Sequence, residues 1–265
     1  SEMCIRDRGR QESLCTPHIY DLNEYIGTGI HEMTICVSNV GYKTKGGHLT
    51  SPDTQTNWNG ITGRIELIGY KNAHAENVML WCDIHNKTVR VTANITGGKS
   101  GKAVISAESF NSEKNHTPAV QSFEYKDGKL DALYKMGDDC LLWSEHEPNL
   151  YKLRIDIYGD VSEHIIGMRE FRTEGGKFTI NGEKTFLRGK HDGMIFPKTA
   201  FAPTDLEEWL RIMKISKSYG MNHYRYHTCC PPESAFIAAD MLGIYMEPQL
   251  PFWGTITEEG EENHN

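Results

Sequence analysis

The sequence predicts a multidomain chain that is all β over most of its length and turns to alternating strands and helices toward its end. Three observations carry this expectation. From Tyr20 to about Gly159 the periodicity is two, with Gly, Asn and Asp turn signals at intervals of about 8–12 residues. After Gly175 the order becomes β, α, β, α, β with short connections. The 265 residues, 38% apolar and 24% charged, suffice for two or three modest packed domains, which excludes a disordered tail or a collagen-like rod.

Each element follows from its residues. Thr88 to Thr96 alternates, with Val89, Val91, Ala93 and Ile95 facing inward against Thr88, Arg90, Thr92 and Asn94. Tyr151 to Tyr158 reads the same way, with Leu153, Ile155 and Ile157 inward. Short strands so spaced argue a β-sandwich, and one sandwich needs only roughly 100 residues, so the strand-rich stretch holds more than one. Upstream, Met33–Val37 and Ile65–Ile68 read as strands separated by a polar loop, Gly46 to Asn59. Loops this long are uncommon in compact domains. The Asn57-Trp58-Asn59-Gly60 core argues for function, since a tryptophan in a loose tether has nothing to cover it; alternatively, Trp58 fills a gap in its own sandwich.

Past Gly175, Phe178–Ile180 and Thr185–Leu187 flank Asn181-Gly182, a hairpin turn whose central residues tolerate positive φ. A helix is expected from about Asp205 to Tyr219. Thr204 and Glu207 have capping-box spacing, Leu206, Trp209, Leu210 and Met213 recur at helical intervals, and Gly220 supplies the stop. Asn222–His227 follows as a strand, Glu233–Leu242 as a helix ended by Gly243, and Ile244–Glu247 as a third strand. This order implies a parallel sheet with right-handed crossovers, the start of something larger.

Several classes fall away. No apolar run approaches the roughly 18 residues of a membrane span, and the N-terminus lacks a signal-peptide pattern. The formal net charge of −8, with no Lys/Arg run, argues against a nucleic-acid partner. The seven cysteines (4, 15, 36, 82, 140, 229, 230) are odd in number and lack a Cys-x-x-Cys pair, so they read as mostly buried thiols. Ser1–Arg8, and residues 1–9 generally, read as a non-native scar. Sequons at Asn86, Asn94 and Asn115 are of the number chance supplies.

The candidate chemistry sits on the second parallel strand. Alternation places His223, Arg225 and His227 on one face and Tyr224 and Tyr226 on the other. Parallel strands are normally continuous apolar runs, so these groups need a polar cavity, and in a β/α barrel the C-terminal strand ends line the active site. The alternative is a set of paired, buried polar groups. His191 and Asp192 after the first strand and Glu247 after the third fall at equivalent ends. Metal ligation by His227, Cys229 and Cys230 is the weaker reading, because no second cluster completes a zinc site. Phe252-Trp253 is either a sugar-stacking platform or core.

Four motifs in order resemble glycoside hydrolase family 2, the β-galactosidase/β-glucuronidase group, over nearly the whole chain from about Leu14. Asp53–Leu67 (DTQTNWNGITGRIEL) is similar to the motif closing the family's jelly roll. Leu142–Tyr151 (LWSEHEPNLY) is similar to its Trp-Ser-Pro-Glu-x-Pro-x-Leu-Tyr signature. Gly167–Arg172 (GMREFR) and Phe178–Gly189 (FTINGEKTFLRG) are similar to the segments leading into its barrel. The resemblance implies the C-terminal part of a jelly roll (10–72), an immunoglobulin-like β-sandwich (73–173) and the first three β/α units of an incomplete TIM barrel (174–265).

By the same resemblance the intact parent is a retaining exo-β-glycosidase with two glutamates on later barrel strands. Neither glutamate motif occurs here, so the resemblance assigns no catalytic residue, no metal and no cofactor, and the chain alone is expected to be inactive. It implies a carbohydrate substrate contacted by Asp53, Asn57, Trp58, His191, Asp192, Arg225, His227, Glu247 and Trp253. Glu247 matches the family's substrate-lining strand rather than its catalytic glutamates. Lys190-His191-Asp192-Gly193, Arg225–Pro232 (RYHTCCPP) and Gln249 depart from the usual family residues and indicate a divergent branch. Polysaccharide-degrading relatives point to a periplasmic or secreted location. The competing expectation is a non-hydrolytic carbohydrate-binding or scaffolding sandwich.

Overall fold

The structure is a computed structural model that describes residues 9–11, 16–38, 60–61 and 63–251. The described residues up to Asn72 contain no strand. Met33–Val37 and Ile65–Ile68, expected as strands, are therefore corrected: Met33, Ile35, Val37, Ile65, Leu67 and Ile68 are exposed, and no described strand pairs with them. Alternation offers an apolar face, but a ladder needs a partner for its N–H and C=O groups.

From His74 the chain builds one antiparallel sheet. Its strands are β1 (His74–Asp83), β2 (Thr88–Thr96), β3 (Ser100–Ser109), β4 (Gln121–Lys126), β5 (Lys129–Lys135), β6 (Tyr151–Ile157) and β7 (Asp160–Ile166), ordered β1-β2-β5-β4-β3-β6-β7. The expected alternation appears in β2, where Val89, Val91, Ala93 and Ile95 are buried while Arg90 and Asn94 are exposed; Thr88, expected outside, is buried at the strand's start. In β6, Leu153, Ile155 and Ile157 are buried. With Ala103, Ile105, Leu130, Ala132 and Tyr134 they form one core, each large aliphatic side chain contributing roughly 1.5–3 kcal/mol. β4 and β5 share only the Lys126↔Lys129 pair. They turn through Asp127 and Gly128, both at positive φ (52° and 68°). There the sheet folds over, bringing β1 near β7 and nearly closing it.

A small antiparallel sheet follows: β8 (Phe171–Glu174), β9 (Lys177–Ile180) and β10 (Glu183–Thr185). The Asn181-Gly182 turn has φ of 52° and 83°, as its sequence requires, though β10 stops at Thr185, short of Leu187.

The last unit is a three-stranded parallel sheet of β11 (Gly189–Asp192), β12 (His223–Tyr226) and β13 (Tyr245–Glu247), with α1 (Leu206–Ser218) and α2 (Glu233–Leu242) in the connections. His191, Asp192 and Glu247 thus lie within their strands rather than after them. The α1 cap differs from expectation by one residue: Asp205, not Thr204, accepts from Glu208 N at 2.9 Å. A carboxylate is the better acceptor at the positive end of a helix, and this register buries Trp209, Leu210 and Met213. Those side chains pack with Ala235, Ala238 and Ala239 of α2 and with Tyr224 and Tyr226 of β12, forming a second core. α2 ends where expected, at Gly243 in the left-handed region (φ 70°).

The cysteines are less buried than the sequence suggested. Of the five described, only Cys229 is buried; Cys82, Cys140 and Cys230 are intermediate and Cys36 is exposed. Cys36 lies in the segment without described strands, where its neighbours Ile35 and Val37 are exposed as well.

Candidate functional site

Parallel pairing sets His191 beside Arg225 and Arg225 beside Glu247, one side chain from each strand in a single row. Tyr224 and Tyr226 turn to the helices, so His223, Arg225 and this row occupy the opposite face, as alternation predicts. The row is accessible: the side chains of Arg225 and Glu247 are 41% and 50% exposed.

Glu247 is held at both oxygens. Arg225 Nε lies 3.6 Å from Oε1, and His223 Nε2 lies 3.3 Å from Oε2. His223 reaches that far because of Gly189. A Cβ at Gly189 would sit 2.6 Å from His223 Nδ1, so the missing side chain on β11 is the space in which the imidazole lies. Burial lowers the pKa of His223 from its ordinary value, against the opposing pull of Glu247. The ring faces Glu247 through Nε2, with burial favouring its neutral form. His223 was expected on this face but not among the contact residues. Its signal, a glycine opposite a histidine, becomes legible only once the strand register is known.

At the end of β12, His227 joins the row. Its ring stands edge-on to His191, centroids 5.0 Å apart, and its backbone N–H donates to Asp192 O at 2.8 Å. Asp192 does not join. It is buried on the helix side, where its carboxylate accepts from Met194 N at 2.7 Å and pairs with Lys190 Nζ at 2.9 Å. Alternation within β11 turns Asp192, also expected at the site, away from His191, and its carboxylate fixes the turn through Met194 (φ 57°). Gln249 fastens the rim, accepting from Thr228 N at 2.9 Å and donating from its own N–H to Cys229 O at 3.2 Å.

Asp53, Asn57, Trp58 and Trp253 lie outside the described residues. Among the described residues no group of three or more His, Cys, Asp or Glu is arranged to hold a metal ion. Burial pushes the Cys229 thiol up to about 12, so it is protonated at neutral pH. Burial likewise raises the Tyr226 phenol.

The described residues thus bring together a carboxylate with both oxygens oriented, a guanidinium and two imidazoles at the strand ends. Acceptors, donors and groups that can be either, converging from three strands, suit vicinal hydroxyls rather than a single charge.

No family model matches the chain. It is 24% identical over 271 residues to a β-galactosidase of Thermoanaerobacter pseudethanolicus, which covers 96% of this chain and 36% of the relative. A glycosyl hydrolase family 2 member from Bacteroides cellulosilyticus superimposes with a TM-score of 0.55 and 19% identity over 67% of this chain and 25% of its own. A β-glucuronidase of Parabacteroides merdae does so with a TM-score of 0.54 and 18% identity, over 71% and 25%. In sequence and in fold the chain is glycoside hydrolase family 2-like, and it spans about a third of the β-galactosidase it matches.

Proposed function

We propose that this family 2-like chain is part of a retaining exo-β-glycosidase that removes terminal sugars from oligo- or polysaccharides. On this reading residues 10–72 are the end of a jelly roll, 73–173 an immunoglobulin-like sandwich and 174–265 the opening of a (β/α)8 barrel. The observation that supports it is the row His191, Arg225 and Glu247 at the strand ends, the position at which such barrels bind substrate.

Retention needs two carboxyl groups about 5–5.5 Å apart, one protonating the leaving oxygen and one attacking the anomeric carbon. Glu247 serves neither role. Held by His223 and Arg225, it is an oriented acceptor for sugar hydroxyls, and the acid/base and nucleophile come from later strands of the parent. Arg225 donates to the same ring and His191 and His227 border it; Asp53, Asn57, Trp58 and Trp253, which lie outside the described residues, are proposed as further contacts of the sugar.

The test is kinetic. The 265-residue chain alone should hydrolyse neither an aryl β-galactoside nor an aryl β-glucuronide above buffer, whereas the intact parent should hydrolyse one of them with retention. Turnover by the chain alone that disappears in Glu247→Gln would make Glu247 catalytic and overturn this assignment.

A further inference from the structure

The motif Trp143-Ser144-Glu145, in the connection between β5 and β6 of the large sheet, places a carboxylate among the starts of the three parallel strands. Glu145 is 8% exposed and Asn222, immediately before β12, is 2% exposed. Asn222 Nδ2 donates to Glu145 Oε2. The same amide also donates to Phe186 O at 3.0 Å, and Asn222 Oδ1 accepts from Arg188 N at 2.7 Å, just before β11. The backbone C=O of Asn222 accepts from Tyr245 N at 2.8 Å, at the start of β13. One residue therefore bonds to the beginning of all three strands.

Glu145 anchors that residue from outside the sheet. Arg188 Nη2 lies 3.6 Å from Glu145 Oε2, and Lys217 Nζ, in the last turn of α1, donates to Glu145 O at 2.9 Å and to Leu242 O at the end of α2. Trp143 Nε1 donates to Asp240 O at 2.7 Å. Gly243 packs so closely that a Cβ there would meet Glu145 O at 2.6 Å.

Register makes this consequential. β11 and β12 have four residues each and β13 has three, so the ladder itself contributes few bonds to fix the alignment. A slip of one residue turns every side chain to the other face. Arg225 lies three residues after Asn222, and its row partner His191 lies three after Arg188. We infer that Glu145 and Asn222 are positioning residues: the sandwich-borne carboxylate sets the strand register that lines up His191, Arg225 and Glu247 on the far rim.

The functional part of this inference rests on reading that rim as the sugar site; the register part does not. In the full chain, Glu145→Ala removes the buried carboxylate that accepts from Asn222 and faces Arg188, leaving the amide only its bond to Phe186 O. The amides of β11–β13 should lose at least about tenfold in hydrogen-exchange protection while those of β2 and β6 keep theirs. The His223 imidazole resonance should shift as its contact with Glu247 loosens. Should Glu145→Ala fail to fold, Glu145→Gln, which retains an acceptor for Asn222, carries the same test in milder form.

The exchanged pair Glu145→Gln with Asn222→Asp, which swaps donor and acceptor, should recover most of the protection lost in Asn222→Asp alone. Uniform loss across both sheets, or an exchanged pair no better than its parts, would overturn the register role. In the intact parent, Glu145→Ala should lower kcat/KM about tenfold; an unchanged value with active wild type would overturn the positioning role. A parent that hydrolyses no glycoside, with exchange behaving as stated, would leave the register role supported and remove the sugar-site reading instead.

Discussion

Gly189→Ala tests the rim with a single methyl group. The new Cβ would stand 2.6 Å from His223 Nδ1, well inside van der Waals contact, and the neighbour is a ring with its own contact to Glu247 at 3.3 Å. The backbone of Gly189 is not among those at positive φ, so the cost is side-chain crowding and not backbone strain. Overpacking of this kind costs about 1–3 kcal/mol, and the stiffer unfolded chain returns about 0.4–1 kcal/mol. The net expectation is a local loss of between about 0 and 2.6 kcal/mol, the difference of those two ranges. Pushed outward, His223 should titrate closer to its ordinary value of 6.5, because burial is the main cause of its depression. The assay is an imidazole NMR titration of the chain alongside hydrogen exchange of β11 and β12. Gly69→Ala, with nothing within 4 Å of the added Cβ, is the control and should change neither. An unaltered His223 titration and unaltered exchange in Gly189→Ala would refute the account of how Glu247 is held.

Four further outcomes are expected. His116, His164 and His223 all have lowered pKa values, chiefly through burial, against 6.5 when exposed; the unfolded chain therefore takes up protons first as pH falls. Their contribution to stability is complete above about pH 6.5 and is lost below it, toward the depressed folded values, so urea midpoints should fall between about pH 7.5 and about pH 5.5, less so in His164→Gln. Asp205→Ala removes the carboxylate that caps α1 and should destabilise the last unit by about 0.5–2 kcal/mol, read from exchange of the α1 amides. In the intact parent, Arg225→Ala and Asp53→Ala should each lower kcat/KM tenfold or more, since one lost contact to a hydroxyl costs on the order of 1–3 kcal/mol. Among the described residues β11 and β13 each pair on one side only, so limited proteolysis should open the region after residue 178 before the large sheet.

Where local rules decide the outcome, the sequence was legible. The β2 span, the α2 span and the two-residue turn at Asn181-Gly182 follow from alternation, capping and positive φ, which need no knowledge of the rest of the chain. The strands expected near Met33 and Ile65 failed because alternation cannot report whether a partner strand is present. Asp192 was read together with His191 as following a strand, whereas both lie within β11, where neighbouring side chains point to opposite faces. Of the candidate site, Arg225 and His227 were singled out by their polarity on a parallel strand, and His191 and Glu247 by their place at equivalent ends of the neighbouring strands. Glu145 and Asn222 were missed because their meaning lies in a contact spanning 77 residues of sequence, and nothing in either local pattern announces it.

The most direct measurement is a structure of the intact parent with its monosaccharide product bound. The ring should lie at the C-terminal ends of β11, β12 and β13, with hydroxyls about 2.6–3.2 Å from Arg225 and Glu247 and with His191 and His227 at its border. A sugar bound away from these strand ends, or a rim filled by the protein's own side chains, would contradict it.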